Sequence, residues 1–177
     1  MAQRHILLVG LPGSGKTTVG RLVASQLGAG FVDFDQVLVR KNGMPIAQIF
    51  GLHGEPKFRQ MESQVAQHAL EGPPSVLAPG GGWLVQPGNY TLARNTGNPF
   101  IIYLKVLPSV AAGRAGGDGT RPLLVGDDPI ARMRQLIAER EPIYLQADAV
   151  LANDSPKTAE QTAAEVVKLA REQGGWA

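Results

Sequence analysis

The chain has 177 residues, a formal net charge of +2 and 44% hydrophobic residues, which is typical of one globular domain. It has no cysteine, which excludes disulfide frameworks, thiolate metal centres and cysteine nucleophiles. The balanced charge and the lack of a bilayer-length apolar run indicate no nucleic-acid and no membrane partner, so we expect a cytoplasmic protein. The 22 glycines and 13 prolines exceed ordinary usage and call for an explanation.

Short apolar runs alternate with helical patterns along the chain. Five runs predict strands: His5–Val9, Phe31–Asp35, Ser75–Ala78, Phe100–Val106 and Ala149–Ala152. Helices are predicted after Gly15, over 36–70 with breaks near Gly43 and Gly51–Gly54, from Pro108, over Asp128–Ala147 and over Pro156–Glu172. This alternation predicts a three-layer α/β fold around a parallel sheet, with ligands at the carboxyl ends of the strands. We expect one domain over residues 1–177, with a frayed tail at 173–177.

Residues 10–17, the phosphate loop, read G-L-P-G-S-G-K-T and match the pattern G-x-x-x-x-G-K-[ST]. The loop stands between a predicted strand and a predicted helix, where its backbone N–H groups can bind phosphate oxygens. Lys16 is placed to neutralise the β- and γ-phosphates, and the Thr17 hydroxyl to bind magnesium. The motif predicts nucleotide binding without identifying a phosphate acceptor.

Two acidic residues, Asp33 and Asp35, end the second predicted strand. On a strand both side chains would leave the same face, and Phe34 would point away. One carboxylate could hold magnesium, directly or through water, and the other could orient an acceptor hydroxyl or take its proton. A helix cap followed by a solvated acid is the alternative.

Arg59 and Glu62 lie three residues apart on a predicted helix and can therefore meet. They could form an ordinary surface ion pair, or Glu62 could hold Arg59 so that its guanidinium binds a substrate carboxylate. The three consecutive glycines Gly80–Gly82, the glycine turn, follow a buried strand. They could let a ligand approach the backbone closely, or form a loose turn.

A glycine- and arginine-rich segment at about 113–127 resembles a lid that closes over ATP and brings Arg121 to the transferred phosphoryl group. A solvated surface loop is the alternative. Arg140, on the following predicted helix, could point back into the site.

Six motifs follow one another along the chain: G-L-P-G-S-G-K-T, D-F-D, G-E-x-x-F-R-x-x-E, G-G-G, T-R-P-L-L and E-R-x-P-x-Y. This series resembles the shikimate kinase family over essentially the whole chain. The resemblance implies a three-layer αβα P-loop kinase fold with a five-stranded parallel sheet and a mobile lid. It implies magnesium-dependent transfer of the γ-phosphate of ATP to the 3-hydroxyl of shikimate, on the pathway to chorismate and aromatic amino acids.

The resemblance also assigns roles to matching residues. Nucleotide binding is implied for Gly13, Ser14, Gly15, Lys16, Thr17, Thr18, Arg114, Arg121 and Pro156. Shikimate binding is implied for Asp35, Arg59, Gly80, Gly81, Gly82 and Arg140, and magnesium binding for Thr17 and Asp33. Lys16, Asp35 and Arg121 are implied to be catalytic, and residues 153–156 to lie beside the adenine. We expect ATP and shikimate as small-molecule partners of a monomer.

Four residues depart from the family pattern: Phe34 between the two acids, Trp83 after the glycine turn, Pro79 and Pro56. We expect Phe34 to face away from the site. The Trp83 ring could narrow the acceptor pocket, which keeps a related kinase of gluconate or a shikimate analogue open as an alternative. A binding or regulatory module without turnover is a second alternative.

Overall fold

The computed structural model describes residues 1–115, 128–154 and 156–177. Five strands form one parallel sheet in the order β2-β3-β1-β4-β5. They are β1 Ile6–Val9, β2 Gly30–Asp33, β3 Ser75–Ala78, β4 Phe100–Lys105 and β5 Ala149–Ala152. The helices in the described ranges are α1 Lys16–Leu27, α2 Phe34–Asn42, α3 Ile46–Glu71, α4 Asn89–Thr96, α5 Pro108–Ala115, α6 Pro129–Tyr144 and α7 Ala159–Gln173. The predicted α/β class with a five-stranded parallel sheet is confirmed.

Both faces of the sheet are covered by helices. Leu7 and Val9 of the central strand β1 pack in one core with buried side chains of α2, α3 and α6. Ile6 and Leu8 point to the opposite face and pack with α1 and α7. Burial on both faces explains why the strands consist of continuous apolar runs rather than alternating ones.

The neighbouring strands β1 and β3 define the position of the site. The chain leaves β1 for α1 on one face of the sheet, whereas α4, which follows β3, packs into the core on the other face. Connections that diverge in this way leave a crevice at the carboxyl ends of the two strands. The phosphate loop and the glycine turn both open into that crevice.

The acidic residues lie on different elements from those predicted. β2 ends at Asp33, which caps helix α2 by accepting a hydrogen bond from the Gln36 backbone N–H at 3.2 Å. Asp35 lies in the first turn of α2, so the predicted strand over Phe31–Asp35 is two residues too long. The carboxylate cap accounts for the early helix start, because it satisfies a backbone N–H that lacks a helical partner.

Helix α3 is interrupted at Gly54, whose φ of 75° and ψ of 168° are not helical. This confirms the predicted break and explains Pro56. The proline stands in the first turn of the second helical segment, where its missing N–H removes no hydrogen bond. Helix α4, which has only eight residues, was not predicted.

The C-terminal tail is packed, so the predicted fraying is wrong. Trp176 is 8% exposed, and its indole N–H donates to the carbonyl of Arg4 at 2.9 Å. The ring adds to the core formed by α1 and α7. Of the predicted lid, residues 113–115 end helix α5, and 116–127, including Arg121, lie outside the described residues. No helix in the described ranges is long and apolar enough to cross a membrane.

His5 is a buried histidine that links three elements. Its Nδ1 accepts a hydrogen bond from the Ser75 backbone N–H at 3.1 Å, and Nε2 lies 3.2 Å from the carbonyl of Leu70. Accepting at Nδ1 and donating from Nε2 requires the neutral imidazole. Burial lowers the pKa of His5, and the backbone hydrogen bonds oppose this only in part.

We predict that His5 makes folding stability fall at acidic pH. Above the ordinary histidine pKa of 6.5 the imidazole is neutral in both the folded and the unfolded chain. There His5 makes its full contribution to the free energy of unfolding. As pH falls below that value the unfolded chain takes up a proton that the folded chain resists, so stability is lost. The unfolding free energy of the wild-type protein should therefore exceed that of His5→Gln most above pH 6.5, with a narrowing gap below it.

Urea unfolding between about pH 7.5 and about pH 5.5 measures this gap. His68→Gln, at an exposed position of α3, is the matched control and should keep the pH dependence of the wild type. A gap between wild type and His5→Gln that stays constant over the range would contradict the prediction.

Candidate active site

A cavity of about 960 Å³ lies at the carboxyl ends of β1, β2 and β3. It brings the phosphate loop, the two acidic residues, the glycine turn and both candidate arginines to one place. Among the residues that line it are Lys16, Thr17, Asp33, Asp35, Arg59, Glu62, Gly80, Gly81, Gly82 and Arg140. Residues that lie far apart in the chain thus line one cavity.

The phosphate loop has a conformation that suits glycine. Gly13 and Gly15 have φ values of 80° and 94°, in the left-handed region. A Cβ on Gly13 would lie 2.4 Å from the carbonyl oxygen of Ala111, which leaves no room for a side chain. The Lys16 ammonium, 8% exposed, donates to the carbonyls of Gly10 and Leu11 at 2.9 Å each. The lysine is therefore held across the mouth of its own loop.

Thr17 and Asp33 are joined by a short hydrogen bond. The Thr17 hydroxyl donates to Asp33 Oδ2 at 2.7 Å, and the other carboxylate oxygen caps α2. This arrangement presents a hydroxyl oxygen to the cavity, backed by a negative charge. Hard oxygen donors with an acid behind them suit magnesium bound to phosphate.

Asn153 braces the phosphate loop from behind, a role that the sequence did not indicate. Its side-chain amide donates to the carbonyl of Ser14 at 2.7 Å and accepts from the Thr162 hydroxyl at 2.7 Å. Arg114 donates to the Asn153 carbonyl at 2.9 Å, which places the arginine at the edge of the loop. No local pattern marks Asn153, since its partners come from the loop and from α7.

The remaining predicted nucleotide residues are more exposed. Thr18 lies exposed in the first turn of α1, and Pro156 lies in an exposed turn before α7. Neither contributes to the lining of the cavity as described.

Arg59 and Arg140 converge on the glycine turn. A Cβ built on Gly82 would lie 3.3 Å from Arg59 Nη1 and 3.2 Å from Arg140 Nη2. Arg140 is 6% exposed, and within the described ranges its Nη1 has no hydrogen-bond partner, nor has Nε of Arg59. Burying guanidinium N–H groups without hydrogen-bond partners costs folding free energy. A carboxylate can accept hydrogen bonds from the planar guanidinium. The geometry favours an anion between the two arginines.

Glu62 holds Arg59 in place. Its carboxylate is 2% exposed and accepts from Arg59 Nη1 at 2.9 Å, which argues against an ordinary surface pair. Burial raises the pKa of Glu62 to about 7, and Arg59 opposes this shift. Asp35 raises that pKa further through like-charge repulsion. The two carboxylates thus face each other near Gly80, whose ideal Cβ position lies 2.8 Å from Glu62 Oε1 and 3.5 Å from Asp35 Oδ1.

Trp83 does not enter the cavity. Its side chain is fully buried and packs edge-on against Phe34, with ring centroids 5.7 Å apart. Phe34 points away from the cavity as predicted, although it does so as a helix residue rather than a strand residue. The predicted narrowing of the acceptor pocket by Trp83 is therefore wrong, because the ring fills the core behind the glycine turn.

Comparison with known proteins gives consistent matches. A family model described as shikimate kinase matches residues 12–171. A shikimate kinase of Symbiobacterium thermophilum is 41% identical over 172 residues, which cover 96% of this chain and 98% of the relative. One of Mycobacterium avium is 42% identical over 145 residues, covering 81% of this chain and 80% of the relative.

Solved structures agree with the sequence matches. The structure of shikimate kinase from Acinetobacter baumannii in complex with shikimate has a TM-score of 0.89 at 33% identity, covering 97% of this chain and 94% of that one. A gluconokinase from Sinorhizobium meliloti has a TM-score of 0.62 at 16% identity, over 98% and 94% of the two chains, and shares the fold alone. On the family model and on relatives above 40% identity, the chain belongs to the shikimate kinase family.

Proposed function

We propose that this protein transfers the γ-phosphate of ATP to the 3-hydroxyl of shikimate in a magnesium-dependent reaction. The observation that carries the proposal is the shared cavity. It holds a phosphate loop at one side and, at the other, two arginines converging on the glycine turn beside Asp35. Shikimate is a hydroxylated ring with one carboxylate. In this cavity the two arginines offer a site for that carboxylate, and Asp35 offers a carboxylate that can meet the ring hydroxyls. One chain carries both halves, so the proposal requires no second subunit.

The nucleotide side of the proposal rests on the phosphate loop. Its backbone N–H groups and Lys16 would bind the phosphates, and Arg114 would border the nucleotide. Thr17 would bind Mg²⁺ through its hydroxyl, with Asp33 behind it. Bound there, the ion would neutralise charge on the phosphates. The described residues contain no cluster of three metal-ligating His, Cys, Asp or Glu side chains.

The acceptor side rests on the arginines. In the proposal the shikimate carboxylate lies between Arg59 and Arg140, and the ring lies over the glycine turn. The far end of the ring then points its hydroxyls toward Asp35 and the phosphate loop. Positioning of this kind supplies much of the rate in phosphoryl transfer, because the reaction requires the attacking oxygen in line with the leaving oxygen.

Asp35 is the proposed base. As the 3-hydroxyl oxygen forms its bond to the γ-phosphorus, the bond from that phosphorus to the β–γ bridging oxygen breaks and ADP leaves. The hydroxyl proton passes to the Asp35 carboxylate, or Asp35 only orients the hydroxyl and the proton passes to an oxygen of the transferred phosphoryl group. Arg121, which lies outside the described residues, remains the proposed lid arginine.

The proposed function predicts shikimate-dependent release of ADP. A coupled assay should register turnover only when ATP, magnesium and shikimate are all present, since the proposed transfer needs both substrates in the cavity. Gluconate serves as the control acceptor. Turnover with gluconate and none with shikimate would overturn the proposal.

Arg59→Ala should weaken shikimate binding selectively. Loss of a charge-assisted contact is worth about 1.5–3 kcal/mol, so the KM for shikimate should rise roughly tenfold to hundredfold. The KM for ATP should change less than about threefold, because no contact to the phosphate loop is removed. Arg134→Ala, an exposed arginine of α6, removes the same charge and should leave both constants unchanged. Equal effects of Arg59→Ala on both substrates would contradict the assigned role.

Asp35→Asn and Asp33→Asn should have separable effects. Asp35→Asn should lower kcat by about 10²–10⁴, the range for loss of a general base, with little change in the KM for ATP. Asp33→Asn should instead raise the magnesium concentration needed for half-maximal rate, because the hydroxyl of Thr17 loses its charged partner. Steady-state rates and magnesium titrations of both variants provide the test. An unchanged kcat in Asp35→Asn would remove that residue from the reaction.

A further inference from the structure

Tyr144, the last residue of the motif E-R-x-P-x-Y, has no role in the reaction proposed above. It ends helix α6, one turn beyond Arg140, and its side chain is fully buried. A buried phenol costs free energy unless its hydroxyl finds partners. The contacts of this hydroxyl therefore indicate what the residue does.

The hydroxyl joins the glycine turn to the arginine site. It donates a hydrogen bond to the carbonyl of Gly81. Burial raises the pKa of Tyr144, so the phenol stays protonated and can donate. The positive charge of Arg140 opposes that shift, so the guanidinium lies near the same hydroxyl. The hydroxyl thus binds the backbone of the glycine turn, and the Arg140 guanidinium lies beside that same turn.

The same guanidinium lies against the backbone of the glycine turn. A Cβ on Gly81 would lie 3.1 Å from Arg140 Nη1, the buried nitrogen that lacks a partner within the described ranges. The direction of this nitrogen decides whether it can reach a ligand carboxylate. A guanidinium with one fixed edge presents its other edge at a defined angle, which reduces the entropy lost on binding.

We propose that Tyr144 is a positioning residue for the acceptor. Its hydroxyl fixes the Arg140 guanidinium against the carbonyl of Gly81, so that Nη1 faces the place where the acceptor carboxylate binds. The inference rests on the proposed function of Arg140, and it assigns Tyr144 no contact with substrate.

Tyr103 provides a matched control. It is as buried as Tyr144, and the two rings lie 5.0 Å apart. Its hydroxyl, however, donates to Glu141 at 3.2 Å, away from the glycine turn. Tyr144→Phe and Tyr103→Phe each remove one buried hydroxyl from the same aromatic pair, and only the former removes a contact to the site.

Steady-state kinetics of both variants, in wild-type and Arg140→Lys backgrounds, test the inference. Tyr144→Phe should raise the KM for shikimate about threefold to tenfold, the effect of one lost hydrogen bond, with the KM for ATP nearly constant. Tyr103→Phe should change either constant less than about twofold. In the Arg140→Lys background, Tyr144→Phe should add less than about twofold, because no planar fork remains to be oriented.

A general loss of stability would act differently. It would add the same factor in both backgrounds and appear in the KM for ATP, and that result would overturn the inference. Thermal unfolding of each variant sets an assay temperature below all transitions. If Arg140→Lys raises the KM for shikimate and Tyr144→Phe does not, the inference about Tyr144 is wrong, while the proposed role of Arg140 stands. If Arg140→Lys leaves that KM unchanged, the proposed role of Arg140 fails with it.

Discussion

The contact between the phosphate loop and the glycine turn is the constraint on which the site depends. These segments follow the neighbouring strands β1 and β3, and they meet at Gly81. A Cβ there would lie 2.9 Å from Pro12 Cδ and 3.2 Å from the carbonyl oxygen of Gly10. A side chain would push the two segments apart. In the proposed reaction one segment holds the phosphate donor and the other the acceptor, so this contact sets the distance between them.

The charges of the cavity follow from that close packing. Arg140 and Glu62 are almost fully buried where they line the cavity, and the more exposed Arg59 pairs with Glu62. Glu62 satisfies one edge of Arg59, yet donors of both arginines lack partners within the described ranges. A buried cation without full compensation is unfavourable in the free protein. In the proposed complex the carboxylate of the acceptor would pair with these donors and so offset that cost.

The phosphate loop could be predicted because its chemistry is local. Glycines, lysine and threonine at fixed spacing mark the backbone cradle within eight consecutive residues. The strands could be predicted because burial on both faces leaves continuous apolar runs. The position of Asp35 on a helix could not be predicted. The helix starts where the Asp33 side chain caps it, and the three residues Asp33–Asp35 are too few to distinguish a strand pattern from a helix pattern. The two segments nevertheless present both acids to the same cavity.

The sequence by itself determined the fold class, the nucleotide loop and the family resemblance, because each is written in local patterns or in the order of motifs. The glycine surplus could be interpreted from the sequence as well, because part of it lies in the phosphate loop and the glycine turn. Only the tertiary structure decided which side chains meet. Trp83 turned out to fill the core against Phe34 rather than the cavity, and Trp176 to hold the tail in place. Asn153 and Tyr144 donate hydrogen bonds to the phosphate loop and the glycine turn, which lie far from them in the chain. Contacts of this kind depend on how helices and strands pack, which no local spacing encodes.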